Sequence, residues 1–142
     1  MHSYLAAQLI KMGRSIDSMV LMAPAVRTDT FRELVKPHLG KRVKSLACFM
    51  LDDETEQQDK TCQAILGYGR SLLYLVSESF EAERRHMPIL GMQKYFDAAI
   101  GKVPAVSQFL SPRDKSRATT HGGFDDDATT LKSVIAFVKG AA

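Results

Sequence analysis

The sequence predicts an α/β fold in which helices cover both faces of a short parallel sheet, giving three layers. Apolar stretches of strand length alternate along the chain with stretches whose apolar residues recur at helical spacing. The resulting order, α-β-α-β-α-β-α, requires parallel strands joined by right-handed crossovers. The 142 residues, of which 45% are hydrophobic, are enough to form the core of a single domain spanning 1–142.

The first helix and the first strand are predicted from the start of the chain. Residues 4–12, "YLAAQLIKM", carry apolar side chains at helical spacing, and Gly13 follows where a left-handed C-terminal cap belongs. The next apolar run, "SMVLMAPAV", is interrupted by Pro24. Because this run is continuous rather than alternating, we expect a strand that is buried on both faces.

A short helix and a second strand follow. In "TFREL", Thr30 and Glu33 have the separation of a capping box, and Pro37 and Gly40 close the helix. Residues 42–51, "RVKSLACFML", form a second apolar run of strand length. The run stops at the acidic stretch "DDETEQQD", which therefore lies at the carboxyl end of the predicted strand.

The middle of the chain allows two interpretations. Residues 67–81, "GYGRSLLYLVSESFE", fit either a buried strand at 72–76 or a helix whose apolar face includes Leu72, Leu75 and Phe80. We favour the helix. The choice affects the candidate site, because a strand here would present Glu81 at its end.

The last part of the chain predicts two helices and a third strand. One helix follows Pro88 and ends at Gly101, and "VPAVSQFLSP" is the third strand. The final helix stops at Gly140 and has an apolar stripe at i, i+3, i+4 and i+7, namely Leu131, Val134, Ile135 and Val138. Three aspartates before it, Asp125, Asp126 and Asp127, are predicted to cap its first turn.

Composition excludes several classes of function. The net charge is only +3, and the basic cluster at Lys41, Arg42 and Lys44 has no interleaved aromatic residues, so we expect no nucleic-acid partner. There is neither an apolar run long enough for a bilayer span nor a signal peptide, so we expect a soluble, cytoplasmic protein without a membrane partner. Cys48 and Cys62 lack metal or disulfide spacing and are expected to be reduced.

Candidate catalytic residues follow the predicted strands. In parallel sheets, functional loops gather at the carboxyl ends of strands. Asp52 and Asp53 follow the second strand, and His121, followed by two glycines, lies in the loop after the third. We expect the glycines to free the backbone to hold the imidazole at an unusual angle. An acid that orients a histidine is the general arrangement for activating a nucleophile in acyl transfer.

These segments resemble the carboxy-terminal half of an α/β-hydrolase. "MHSYLAAQLI" resembles the helix after the nucleophile elbow, and "SIDSMVLMAPA" resembles the strand that follows it. "CFMLDDETE" is similar to the strand end that presents the acid, and "SRATTHGGFDDDATTL" to the histidine loop with the last helix. The order of the elements carries this resemblance, which covers nearly the whole chain.

The resemblance implies a Ser-His-Asp type of site with His121 as general base and Asp53 as its orienting acid. Asp52 and Glu81 remain alternatives for the acid. The elbow serine would lie just before Met1, and His2 stands where a glycine is expected. The chain is therefore expected to be a partial domain, without the strands that precede the elbow and inactive as given.

The implied function of the complete form is cleavage of an ester, amide or similar acyl bond in a small molecule, with no cofactor and no metal. The alternative is a noncatalytic α/β binding or interaction domain. An unpaired sheet edge would then favour self-association or a partner chain. A third hypothesis, a metal-dependent phosphoesterase, would use His121 with the acidic loops.

Overall fold

The computed structural model describes residues 2–59, 71–80 and 87–140. Within them, a parallel sheet has the order β1-β2-β3, formed by β1 (Ile16–Met22), β2 (Val43–Leu51) and β3 (Val106–Ser111). The described helices are α1 (His2–Lys11), α2 (Thr28–Leu34), α3 (Asp53–Gln58), α4 (Leu72–Leu75), α5 (Gln93–Ile100) and α6 (Ala128–Val138). Short helical turns occur at Lys36–His38, Val76–Phe80 and His121–Gly123. The predicted α/β class with a short parallel sheet is confirmed.

The two faces of the sheet are covered by different helices. Leu46, Cys48 and Met50 of β2 pack in one cluster with residues of α1, α2 and α5. The alternate β2 residues Ala47, Phe49 and Leu51 pack in a second cluster with α6. Successive side chains of a strand point to opposite faces, so this alternation places helices on both sides of the sheet.

The prediction that the first strand is buried on both faces is wrong. In β1 only Met19 and Leu21 are buried, and the remaining residues are half-buried or exposed. Its strand partner among the described residues is β2, so β1 forms an edge of the sheet. The central strand β2 is the one that is buried on both faces, from Leu46 to Leu51.

The predicted capping box of the second helix is also wrong, although the helix itself is present. It begins at Thr28, after Arg27, so Thr30 lies inside the helix rather than at its N-cap. The Thr30 amide instead donates to Asp29 Oδ1 at 2.6 Å. Phe31 and Val35 are fully buried and anchor the helix to the core.

The middle segment is helical where the structure describes it. Residues 72–80 form α4 and the following π turn, so the preference for helix over strand is confirmed there. Glu81 is an alternative for the orienting acid only if this segment is a strand, and that interpretation loses its basis. Glu81 itself lies outside the described residues.

The next helix ends before Gly101 as predicted, but it begins only at Gln93. The residues before it pack against the loop that follows β1. A Cβ on Gly91 would lie 2.8 Å from both the backbone N and O of Pro24. The Gly91 amide donates to Pro24 O at 2.9 Å, and Ile89 pairs with Arg27.

The final helix is present as α6, but three of the four residues of its predicted apolar stripe do not face the core. Leu131 is 42% exposed, Ile135 53% and Val138 56%. The fourth stripe residue, Val134, packs with Phe137 against the second cluster on the side that faces the sheet. The exposed stripe lies on the adjoining side of the same helix, because residues at i and i+1 are about 100° apart.

Two predictions from composition can be compared with the structure. None of the described helices is long and apolar enough to cross a membrane. Cys48 is a buried free thiol, and burial raises its pKa to about 12. Cys62 lies outside the described residues.

Candidate functional site

The carboxyl ends of the three strands lie side by side and bring the candidate loops together. At the end of β2, the Asp52 amide donates to Ser111 O at the end of β3, at 2.9 Å. At the end of β1, Ala23 has a φ of 39°, a left-handed conformation that is unfavourable for a residue with a side chain. Such backbone strain concentrates at functional sites and supports the choice of this edge.

Buried hydroxyl groups fix the loop between β3 and α6. The Ser111 hydroxyl donates to Ala118 O at 2.6 Å, and the Ser116 hydroxyl donates to Ser111 Oγ at 2.9 Å. Ser116 Oγ also lies 2.6 Å from Thr130 Oγ1 on α6. These residues are fully buried, so the loop that contains His121 is anchored at both ends by satisfied polar groups.

Asp127 joins the same loop to the helix. Its carboxylate caps α6 by accepting from the Thr129 and Thr130 amides, and it accepts from the Arg117 amide at 2.8 Å. The Asp127 pKa is lowered to about 2. The hydrogen bond from the Thr130 hydroxyl has the largest effect, and the bond from the Arg117 amide also lowers the pKa. The predicted capping is confirmed for Asp127, whereas Asp125 and Asp126 are exposed.

His121 begins a short 3₁₀ turn rather than a left-handed bend. Neither Gly122 nor Gly123 has a positive φ, so the expectation of an unusual backbone angle is wrong. Gly123 lies in a close contact, since a Cβ there would lie 2.9 Å from Thr120 Oγ1. Gly122 has open space around it.

The carboxylate beside His121 is Asp59. The His121 amide donates to Asp59 Oδ2 at 2.7 Å, and Asp59 is only 2% exposed. His121 Nδ1 is buried and has no hydrogen-bond partner in the described part of the chain. Burial lowers the His121 pKa, and the negative charge of Asp59 acts in the opposite direction. Burial therefore favours the neutral imidazole, and the hydrogen bond to Asp59 is made by the His121 backbone rather than by its ring.

The structure places the predicted acids, Asp53 and Asp52, in capping positions. Asp53 Oδ1 accepts from the Lys94 amide at 3.2 Å, and the Asp53 amide donates to Gln93 Oε1 at 2.8 Å, so Asp53 is tied to the first turn of α5. Asp52 caps α3 through the Thr55 amide, and its Oδ2 lies 3.8 Å from Arg113. The assignment of Asp53 as the acid stays a prediction.

A second buried acid, Glu56, lies on the same helix as Asp53. It is 2% exposed, and its Oε1 accepts a short hydrogen bond from the Ser71 hydroxyl. Burial raises the Glu56 pKa to about 7, with Asp59 and Asp53 adding to the rise and Ser71 and Lys94 opposing it.

Sequence reasoning missed Asp59 and Glu56 because both belong to an acidic stretch that is typical of a solvated helix. The available signal was their spacing of three residues, which places both on one helical face.

The third hypothesis, a metal site, receives no support from the geometry. Across residues 2–59, 71–80 and 87–140, no group of three histidine, cysteine or acidic side chains could hold a metal ion.

Comparisons with protein-family models, with curated proteins and with solved structures find no match for this chain.

Proposed function

We propose that this chain supplies the histidine and carboxylate side of a serine hydrolase of the α/β-hydrolase type. Its substrate would be a small molecule with an ester, amide or similar acyl bond. The observation that carries the proposal is the contact of His121 with Asp59 at the carboxyl edge of a parallel sheet. In a Ser-His-Asp site the acid accepts a hydrogen bond from the imidazole Nδ1–H. Here the Asp59 carboxylate accepts from the His121 backbone amide and acts on the imidazole through its charge.

In this proposal His121 is the general base. Burial favours its neutral form, which is the form that accepts a proton from a serine hydroxyl. Asp59 fixes the His121 backbone and stabilises the imidazolium that forms on proton transfer. Asp59 is thereby a stronger candidate for the acid than Asp53, whose carboxylate oxygen Oδ1 accepts from the Lys94 amide.

The serine would come from a strand and helix that pair with the edge of β1. The sequence itself contains no Gly-x-Ser-x-Gly elbow. Apolar side chains are exposed on helices that cover opposite faces of the sheet: Tyr4 and Leu5 on α1, and Leu131, Ile135 and Val138 on α6. An open groove between α1 and β1 is lined by Leu5, Leu9 and Val20. An added strand with its helices would cover these apolar side chains.

The same surface favours the second candidate function, a noncatalytic domain that binds a partner through the β1 edge and the exposed apolar stripes. The two functions share this surface and differ in whether the incoming strand carries a nucleophile.

Labelling with a serine-directed fluorophosphonate tests the proposal. The experiment uses this chain and a form extended upstream by whatever segment its own gene encodes. We expect the extended form to be labelled and the present chain to remain unlabelled, because a triad needs its nucleophile. In the extended form, His121→Ala should abolish labelling, whereas His38→Ala, which changes a histidine in the turn after α2, should not.

Absence of labelling in the extended form would contradict the hydrolase proposal, and so would two other results. One is an in-frame stop codon directly before the codon for Met1, which would favour the binding domain. The other is equal labelling of the extended form before and after His121→Ala, because the base would then be elsewhere.

A further inference from the structure

Glu56 has a buried position that the proposed function does not use. It lies three residues before Asp59, and both carboxyl groups are nearly inaccessible to solvent. Glu56 Oε1 accepts from the Ser71 hydroxyl, and Ser71 Oγ accepts from the Tyr74 amide at 3.3 Å. Glu56 therefore links α3, which leads to Asp59, with the first turn of α4.

The surroundings of Glu56 favour its uncharged form. Asp53 and Asp59 face it from the same segment with like charge, Lys94 faces it from α5 with opposite charge, and Ser71 contributes a neutral hydroxyl. Glu56 Oε2 is buried and has no partner within residues 2–59, 71–80 and 87–140. A carboxylate with one unpartnered oxygen is costly to bury, whereas a carboxylic acid is much less so.

We propose that Glu56 is a positioning residue, which acts through Asp59 and rests on the proposed role of His121. As a neutral acid held by Ser71, it fixes the end of α3 so that Asp59 reaches the His121 amide. Because neutral Glu56 carries no charge, Asp59 supplies the negative charge that acts on the imidazole. Ionised Glu56 would repel Asp59 across one helical turn and weaken its bond to His121.

Hydrogen exchange at the His121 amide tests this inference on the chain as it exists. The exchange rate, corrected for its intrinsic dependence on pH, is measured about one unit below and about one unit above neutral pH. In the wild type we expect protection to fall about tenfold at the higher pH, which corresponds to roughly 1.4 kcal/mol. Glu56→Gln keeps a neutral acceptor for Ser71 and should retain protection at both pH values.

Two further variants separate positioning from a general loss of structure. Glu56→Ala removes the acceptor and should lower protection at both pH values, while Glu54→Gln, which changes an exposed acid on the same helix, should behave as the wild type. If Glu56→Ala does not fold, the comparison of Glu56→Gln with the wild type decides alone.

The inference and the proposed function can fail separately. The same pH dependence of protection in the wild type and in Glu56→Gln overturns the inference, whether or not the extended form is labelled. If the expected pattern of protection is observed but the extended form is not labelled, the proposed function is overturned and the inference about Glu56 stands.

Discussion

The His121 amide donates a hydrogen bond to Asp59 Oδ2 at 2.7 Å, across 62 positions of sequence. This contact joins the loop after β3 to the segment after β2, two connections that the parallel sheet brings to the same edge. It defines which carboxylate acts on the imidazole, because Asp59 is the charged group that opposes the effect of burial on the His121 pKa.

We expect Asp59→Asn to lower the His121 pKa further below its ordinary value. The carboxylate stabilises the imidazolium, so its replacement by a neutral amide removes the influence that raises the pKa. Titration of the His121 ring resonances by NMR measures the shift. The matched variant Asp53→Asn should leave the titration unchanged, since Asp53 Oδ1 accepts from the Lys94 amide. A larger shift in Asp53→Asn than in Asp59→Asn would restore Asp53 as the acid.

Gly91→Ala should destabilise the fold by about 1–3 kcal/mol, the range for a methyl group forced into occupied space. Its Cβ would meet the Pro24 backbone at 2.8 Å, and a backbone cannot move aside as a flexible side chain can. Gly122→Ala is the control, because nothing lies within 4 Å of the Cβ built there. Urea denaturation compares the two. Equal stabilities would show that the loop after β1 does not pack as described.

Thr130→Val should cost about 1–3 kcal/mol, because it replaces a buried hydroxyl that contacts Ser116 and Asp127 with a methyl group. Thr129→Val is the matched change on the same turn, and it keeps the backbone bond from residue 129 to Asp127. Thermal or denaturant unfolding gives both values. If Thr129→Val is the more damaging change, the hydroxyl network does not anchor the histidine loop.

Val134→Ala should destabilise the protein by about 1–2 kcal/mol through lost burial. Ile135→Ala should change the stability by no more than about 0.5 kcal/mol, although it removes a larger group, because Ile135 is 53% exposed. Both changes raise helix propensity by a similar small amount, so their difference reports packing. Equal losses in the present chain would mean that Ile135 is buried as well and that the whole predicted stripe faces the core.

The contrast between these two residues shows how far sequence patterns reach. Periodicity finds each of the three strands and the last helix, because the spacing of apolar residues follows local backbone geometry, although β1 spans Ile16–Met22 rather than the predicted run 18–26. It cannot choose between the Val134 and Ile135 sides of α6, since both sides are apolar. The choice depends on the packing of α6 against the sheet.

The candidate site shows the same limit. The position of His121 after the third strand follows from the order of the elements. Its contact with Asp59 does not, because it depends on the length of α3 and on the path of the loop after β3. Asp53 is the nearer residue to the strand end, but the N-terminus of α5 attracts its carboxylate.

The wild type should lose stability as the pH rises, because Glu56 ionises. The Glu56→Gln variant should not show this loss. The Glu56 pKa is raised from 4.5 to about 7 in the folded chain, so the folded state binds more protons than the unfolded state between these values. The stabilisation is therefore complete below pH 4.5 and is lost as the pH rises through about 7. At 1.36 kcal/mol per pKa unit, the loss amounts to about 3 kcal/mol.

The measurement is the free energy of unfolding of both proteins at a series of pH values, taken as a difference. His121 titrates in both proteins, and its lowered pKa has the opposite sign of effect, so the subtraction removes most of its contribution. The stability of the wild type relative to Glu56→Gln should fall between acidic and mildly alkaline pH, and Glu54→Gln should follow the wild type. A difference that stays constant over this range would mean that Glu56 is not a buried neutral acid, and the link from Ser71 through α3 to Asp59 would lose its basis.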